Sequence, residues 1–289
     1  MDEKKEVVIH GYKGFDKNMQ CRGFQFEEGK EYECEDAIIC EKGFHFCENP
    51  LDVWDYYGPS DGNLFAEVTG SGMVVDHNKD SKKSSTKIKI NAKLSLAGFI
   101  KASVDFLLSK SKEDKNVNAA SGNYSKLAAS GNYSKLAASG DSSKLAASGD
   151  SSQLAASGNY SKLAASGNYS KLAASGNYSK LAASGDSSQL AASGNYSKLA
   201  ASGDSSKLAA SGDSSKLEMS GADSVGASIG IGNTIKGVTG CWITLAEWEY
   251  DKQKKRYIPV CVKSAQIDGK TIKADTWYCL NNGEFVAVE

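Results

Sequence analysis

Four residues of the N-terminal region carry the atoms for metal or nucleophilic chemistry: Cys34, Cys40, His45 and Cys47, in the order C-x5-C-x4-H-x-C. Three thiolates and an imidazole suit zinc, and a thiol beside an imidazole can act as nucleophile and base. The spacing argues against the metal, because structural zinc sites pair their ligands two to four residues apart on turns. His45 and Cys47 stand two apart on what reads as a strand, which puts them on one face in the manner of core packing. Neither metal nor cofactor is therefore expected. Glu28, Glu31 and Glu33 fit a solvated hairpin face. With no Ser-His-Asp set, phosphate loop or paired catalytic carboxylate in view, the chain is expected not to be an enzyme.

The other chemistry is repetitive. From Ala119 to Leu217 one nonapeptide is written eleven times without a gap, as AASGNYSKL or AASGDSSKL, with Gln153 and Gln189 in place of Lys. Tyr124, Lys126, Tyr133, Lys135, Tyr160, Lys162, Tyr169, Lys171, Tyr178, Lys180, Tyr196 and Lys198 thereby recur at fixed spacing. Rows of aromatic and cationic side chains can bind single-stranded nucleic acid by stacking and phosphate contact, and tyrosine ladders equally stabilise stacked coils. The rows are the candidate binding face.

What positions such rows is set by the period. Nine residues are two and a half α-helical turns, so successive leucines would fall on opposite sides of a helix. Ser-Gly-Asn and Ser-Gly-Asp are turn chemistry, with Gly and Asn/Asp expected to supply positive φ. Each unit is then a turn and a short strand. Ser125, Leu127 and Ala129 point inward, and Tyr124, Lys126 and Ala128 point outward. One such unit has no second layer against which to bury its leucine, so two units must share a coil of about eighteen residues and coils must stack. Eleven units make five and a half coils, roughly 26 Å at about 4.8 Å per strand. The expected fold is mainly β: a nonapeptide-repeat β-solenoid with about two repeats per coil, between a small α+β N-terminal domain and a β-meander C-terminal cap.

The flanks follow from local signals. Residues 1–91 read as the head domain, with strands at VVIHGYKGF, GFQFEEGKEYE, GFHF, LFAEVTG and STKIKIN. Asn49 and Pro50 start a short helix that turns Val53, Trp54 and Tyr57 inward. Residues 92–118 read as a helix through Lys110, with Leu94, Ala97, Ile100, Val104, Leu107 and Leu108 on an apolar face that covers the first coil, followed by a polar linker. The array spans 119–235, because EMSGADSVG and ASIGIGNTI keep its spacing while losing its motif. Residues 236–289 read as the cap, with turns at Asp251–Lys255, Asp268-Gly269 and Asn281–Gly283 and an aromatic core of Trp242, Trp248, Tyr257, Trp277 and Tyr278.

Charge divides along the same lines. The net charge of −1 combines 17 basic and 21 acidic residues up to Asn118, 9 Lys and 5 Asp in the array, and 8 basic and 9 acidic residues beyond it. A surplus of four is well short of a nucleic-acid-binding tail. The N-terminus lacks an apolar core of signal-peptide length and no run approaches a membrane span, so a cytoplasmic protein that does not enter membranes is expected. Seven cysteines at irregular spacing are then expected to be reduced thiols.

GYKGFDKNMQCRGFQFEEGKEYE, ICEKGFHFCENPLDVWDYY and DGKTIKADTWYCLNNGEFV resemble an uncharacterised family encoded in phages and prophages, in which a similar head and tail flank a variable run of Ala/Ser/Gly-rich repeats. The resemblance implies a phage origin, the cytoplasm of the host cell, and a binding protein that engages a host macromolecule, with inhibition of host defence as the natural role. A host protein is the expected partner, nucleic acid a further one, and self-association through solenoid or caps a third. Tyr12-Lys13-Gly14, followed by GFHFCENP and a helix, is also similar to the Tyr-Arg-Gly strand and following segment of ADP-ribosyltransferases, which implies as the alternative a degenerate enzyme of that kind on a rod. Lys13 stands where that pattern has Arg, and no Glu-x-Glu follows on a late strand of the head.

Overall fold

A computed structural model describes residues 8–60, 62–77, 80–110 and 119–288. It divides into two compact units, Met1–Phe106 and Leu107–Glu289.

The first unit is built on a sheet of β1 (Ile9–Phe15), β4 (Glu31–Glu33), β5 (Phe44–Cys47), β6 (Leu64–Asp76) and β7 (Lys82–Leu94), with a small hairpin of β2 (Gln20–Cys21) and β3 (Phe24–Gln25) beside it. The order is β4-β7-β5-β1-β6, and β6 also pairs with β7, so the sheet closes on itself. Phe15, Phe26, Phe46, Val68, Ile88 and Ile90 fill it. The α1 helix (Pro50–Val53) begins as its residues dictate, with Asn49 Oδ1 accepting from the Leu51 N–H and Pro50 in the first position. Helix α2 spans Leu96–Lys110. Phe99 is fully buried, stacked on Phe65 at 4.2 Å and packed near Trp54 and Tyr12. Phe99 thus ties the first half of this helix to the head, because its ring finds an aromatic box there. The side chains of Val104 and Leu108, and the linker 111–118, lie outside the described residues.

The second unit is the β-solenoid. Strands of four residues pair in parallel with strands eighteen residues on, Leu145 beside Leu163 and Leu154 beside Leu172, so two units form each coil. About seven turns result, because the decayed units continue the same pairing through Val225–Ser228 and Thr234–Gly237. Alternate strands belong to two facing sheets. All eleven leucines are buried between them with Ala138, Ala147 and their equivalents, each leucine contributing roughly 1.5–3 kcal/mol.

The turns carry the ladder around the corners. Asn177 Oδ1 accepts from the Asn195 N–H at 2.8 Å, and the Tyr178 N–H donates to the Asn195 carbonyl at 2.8 Å. Aspartate does the same, as Asp186 Oδ1 accepts from the Asp204 N–H. Inside, Ser179 Oγ donates to the Gly176 carbonyl. Positive φ falls on the residue after the Asn or Asp, Tyr178 at 57° and Ser187 at 56°, and not on the glycine. The glycine serves close approach instead: a Cβ on Gly176 would lie 2.2 Å from the Gly158 carbonyl oxygen one coil away.

The C-terminal strand cap divides between the two sheets. Trp242–Asp251 joins one in parallel and turns back as Arg256–Gln266, while Trp277–Asn281 joins the other antiparallel and turns back as Glu284–Val288. Its core is aliphatic, with Ile243, Leu245, Ile267, Ile272 and Leu280 around Tyr278. Of the five aromatic residues expected to form that core only Tyr278 is buried; Trp242 and Tyr257 are about half exposed. Trp277 is used on the surface, where the ammonium groups of Lys216 and Lys236 each lie 5.2 Å from its ring.

Candidate functional site

The head holds a cleft of about 490 Å3 whose walls include Tyr12, Lys13, Arg22, His45, Tyr57 and Lys82. Strand β1 brings Lys13, the β2–β3 hairpin Arg22, β5 His45, the segment after α1 Tyr56 and Tyr57, and β7 Lys82. The head's first sixty residues carry 14 acidic and 7 basic side chains. The cleft reverses that balance, with three cations against Asp55 as the one carboxylate among the described residues that line it.

Each group has a defined partner. The Lys13 ammonium is buried, donates to the His45 carbonyl at 2.7 Å, and lies over the rings of Phe26 and Phe15 at 5.1 and 5.6 Å. Burial pulls its pKa below the usual lysine value, against the pull of Cys21. Lys82 Nζ stands 3.0 Å from Cys40 Sγ and 4.4 Å from the Tyr56 ring centroid. Arg22 donates to the Cys40 carbonyl at 2.8 Å. His45 Nε2 accepts from the Cys40 backbone N–H at 2.9 Å. Burial, then the neighbouring cations Lys13, Arg22 and Lys82, lower its pKa to about 4. It is therefore neutral at pH 7, with its acceptor nitrogen already engaged, which leaves no free lone pair for general-base work on that atom. Burial also raises the Tyr57 phenol, reinforced by its bond to Cys21.

Of the four metal candidates, Cys40, His45 and Cys47 line this cleft, whereas Cys34 turns to the carbonyls of Asp36 and Thr86. Among the described residues no group of three or more His, Cys, Asp or Glu side chains converges on a point that a metal could occupy. Cys40 meets Lys82, and its amide meets His45, so the set closes on protein partners. Lys82, Arg22 and Tyr56 carry no signal in the sequence, and Tyr57 reads there only as an inward residue beside the short helix. Lys82 lies 42 residues from Cys40, and only the long β6–β7 hairpin brings them together.

The twelve tyrosines and lysines do not share one face, because successive units go to opposite sides of the coil. Lys126, Lys162, Lys180 and Lys198 stand on one sheet; Lys135 and Lys171 stand on the other. On the first sheet Ala146, Ala164, Ala182 and Ala200, which point outward, are fully buried, and Lys162 is only 4% exposed. On the second sheet the equivalent Ala137, Ala155, Ala173, Ala191 and Ala209 are exposed and floor a long shallow groove beside Lys135, Gln153, Lys171, Gln189 and Lys207. This second sheet is the open face.

Tyrosines follow the turns. Tyr124, Tyr160, Tyr178 and Tyr196 lie along one edge, and Tyr133 and Tyr169 along the other. Tyr160, Tyr178 and Tyr196 stack on one another at 5.0 and 4.9 Å with planes 5° apart. Tyr178, with a ring on each side, has both faces occupied, so no base can insert there; this run acts in coil stacking.

The family model for a domain of unknown function, DUF7666, matches residues 9–102, which is the head with the first half of α2. No curated protein and no solved structure matches the chain. Among the described residues no helix is long and apolar enough to cross a membrane.

Proposed function

We propose that this is a non-enzymatic binding protein of phage or prophage origin, acting in the host cytoplasm, whose β-solenoid is a rigid scaffold that docks a macromolecular partner on its open face. One observation carries the reading: near-identical KLAA and QLAA strands have their outward alanines buried on one sheet and exposed on the other, leaving a flat, small-residue surface bordered by Lys135, Lys171 and Lys207. Such a surface admits close approach along its whole length and offers no enclosed volume for a small substrate. Inhibition of a host defence protein is the role that the resemblance suggests for it. The test is a nuclease-treated pull-down from bacterial lysate with the intact chain and with Ala173→Glu, which plants a charge at the centre of the face. A discrete protein retained by the first and lost by the second supports the proposal; identical recovery by both overturns it.

The cleft supports a second reading, that the head binds a small anion bearing an aromatic ring. Its three cations in an acidic domain, beside Tyr56 and Tyr57, favour this. Whether such a ligand is also turned over is decided by NAD consumption with Lys13→Ala and His45→Ala as controls: turnover sensitive to both revives the ADP-ribosyltransferase alternative.

A further inference from the structure

The eleven repeats depart from lysine at only two positions, Gln153 and Gln189. Both fall on the open sheet, in alternate coils, so its column reads Lys135, Gln153, Lys171, Gln189, Lys207. On the other sheet the matching column is lysine at every repeat, Lys126 through Lys216. The same two glutamine coils enter the open strand through Asp150 and Asp186, where the Lys135 and Lys171 coils enter through Asn132 and Asn168. Along the edge where the chain enters the open sheet, four successive coils therefore carry +1, −1, +1 and −1, while Asp141 and Asp213 stand on the opposite edge.

This alternation repeats every two coils, about 9.6 Å. A partner that satisfies it must present charges of the same period, and a second copy does so by construction. We infer that the open face docks a second copy of this chain with the solenoid axes antiparallel, about a two-fold axis between the coils of Gln153 and Lys171. In that orientation Lys135 meets Gln189 and Asp186 of the second copy, and Lys171 meets Gln153 and Asp150. The exposed alanines pack on each other. Parallel pairing in register reverses the strands across the contact, so the lysine column of one copy lies along the far edge of the other and its alternation with glutamine goes unmatched.

Six coils and a strand's width bury roughly 400 Å2 per copy, below the usual size for specific interfaces, so the dimer is weak and reversible. The inference rests on the open-face reading and gives that face a second copy as its occupant in place of a host protein.

Sedimentation equilibrium of the full chain from micromolar to submillimolar concentration tests it. A monomer–dimer equilibrium is expected, weakened by salt because part of it is charge pairing. Gln153→Lys with Gln189→Lys restores the repeat's own lysine at surface positions, so folding is retained while like charges oppose; dissociation should become easier by about ten-fold or more. Ala173→Glu should do the same by steric and charge block. A monomer at all concentrations, or a dimer indifferent to both variants, overturns the inference. If the protein is monomeric yet Ala173→Glu still abolishes capture of a lysate partner, the self-pairing fails and the open-face reading stands; if Ala173→Glu changes neither association nor capture, both fail.

Discussion

Gly176 lies against the carbonyl of Gly158, one coil away, so closely that a Cβ added to it would sit 2.2 Å from that oxygen. Each interior repeat has the same contact, from Gly140 to Gly221, at 2.1–2.3 Å. Gly176→Ala must therefore push two coils apart and is expected to destabilise the array by roughly 3 kcal/mol or more. Gly122, in the first coil, faces open space, with nothing nearer than Ser125 Oγ at 3.8 Å. Gly122→Ala should stay within about 0.5 kcal/mol. Urea denaturation of the two variants decides, and equal costs would refute the close-approach account.

The Asn/Asp ladder predicts a difference between removing an acceptor and charging it. Asn177→Ala leaves the Asn195 N–H without its side-chain acceptor and should cost about 1–2 kcal/mol. Asn177→Asp keeps the acceptor, as Asp186 does for Asp204, and should cost less. Amide exchange at residue 195 should accelerate in the first variant alone.

Core and edge should respond unequally within one repeat. Leu181 is fully buried, and Leu181→Ala should cost about 2–5 kcal/mol. Tyr178→Ser substitutes a residue that five of the repeats already carry, and removes two ring stackings worth about 0.5–1.5 kcal/mol each at most. A larger loss from Tyr178→Ser than from Leu181→Ala would place the stabilisation in the ladder and not in the interior.

His45 gives the head a pH signature. Its folded pKa, about 4, lies below the ordinary 6.5, so between these values the unfolded chain holds a proton that the folded head does not. Its contribution to stability is complete above about pH 6.5 and is lost as pH falls toward 4. The imidazole resonances of His45 should titrate near pH 4, and Lys82→Met, which removes one of the neighbouring cations, should move that midpoint upward. A midpoint at the ordinary histidine value would contradict the buried, cation-flanked site.

The nine-residue period alone determined the solenoid, its two units per coil and its inward Ser, Leu and Ala. These follow from strand alternation and from the need of each leucine for a facing layer, both of which are local facts. Asn49 and Pro50 likewise announced α1. The tertiary structure alone decided which surfaces matter. Units nearly identical in sequence become unlike in place, since odd and even repeats go to opposite sheets and the outward alanines are exposed on one and buried on the other. Glycine's role passed from φ to coil-to-coil approach because the limiting contact lies eighteen residues away. The cleft likewise depends on distant partners: Lys82 meets Cys40 only through the closure of β7 on β5, and no spacing within the sequence encodes that distance.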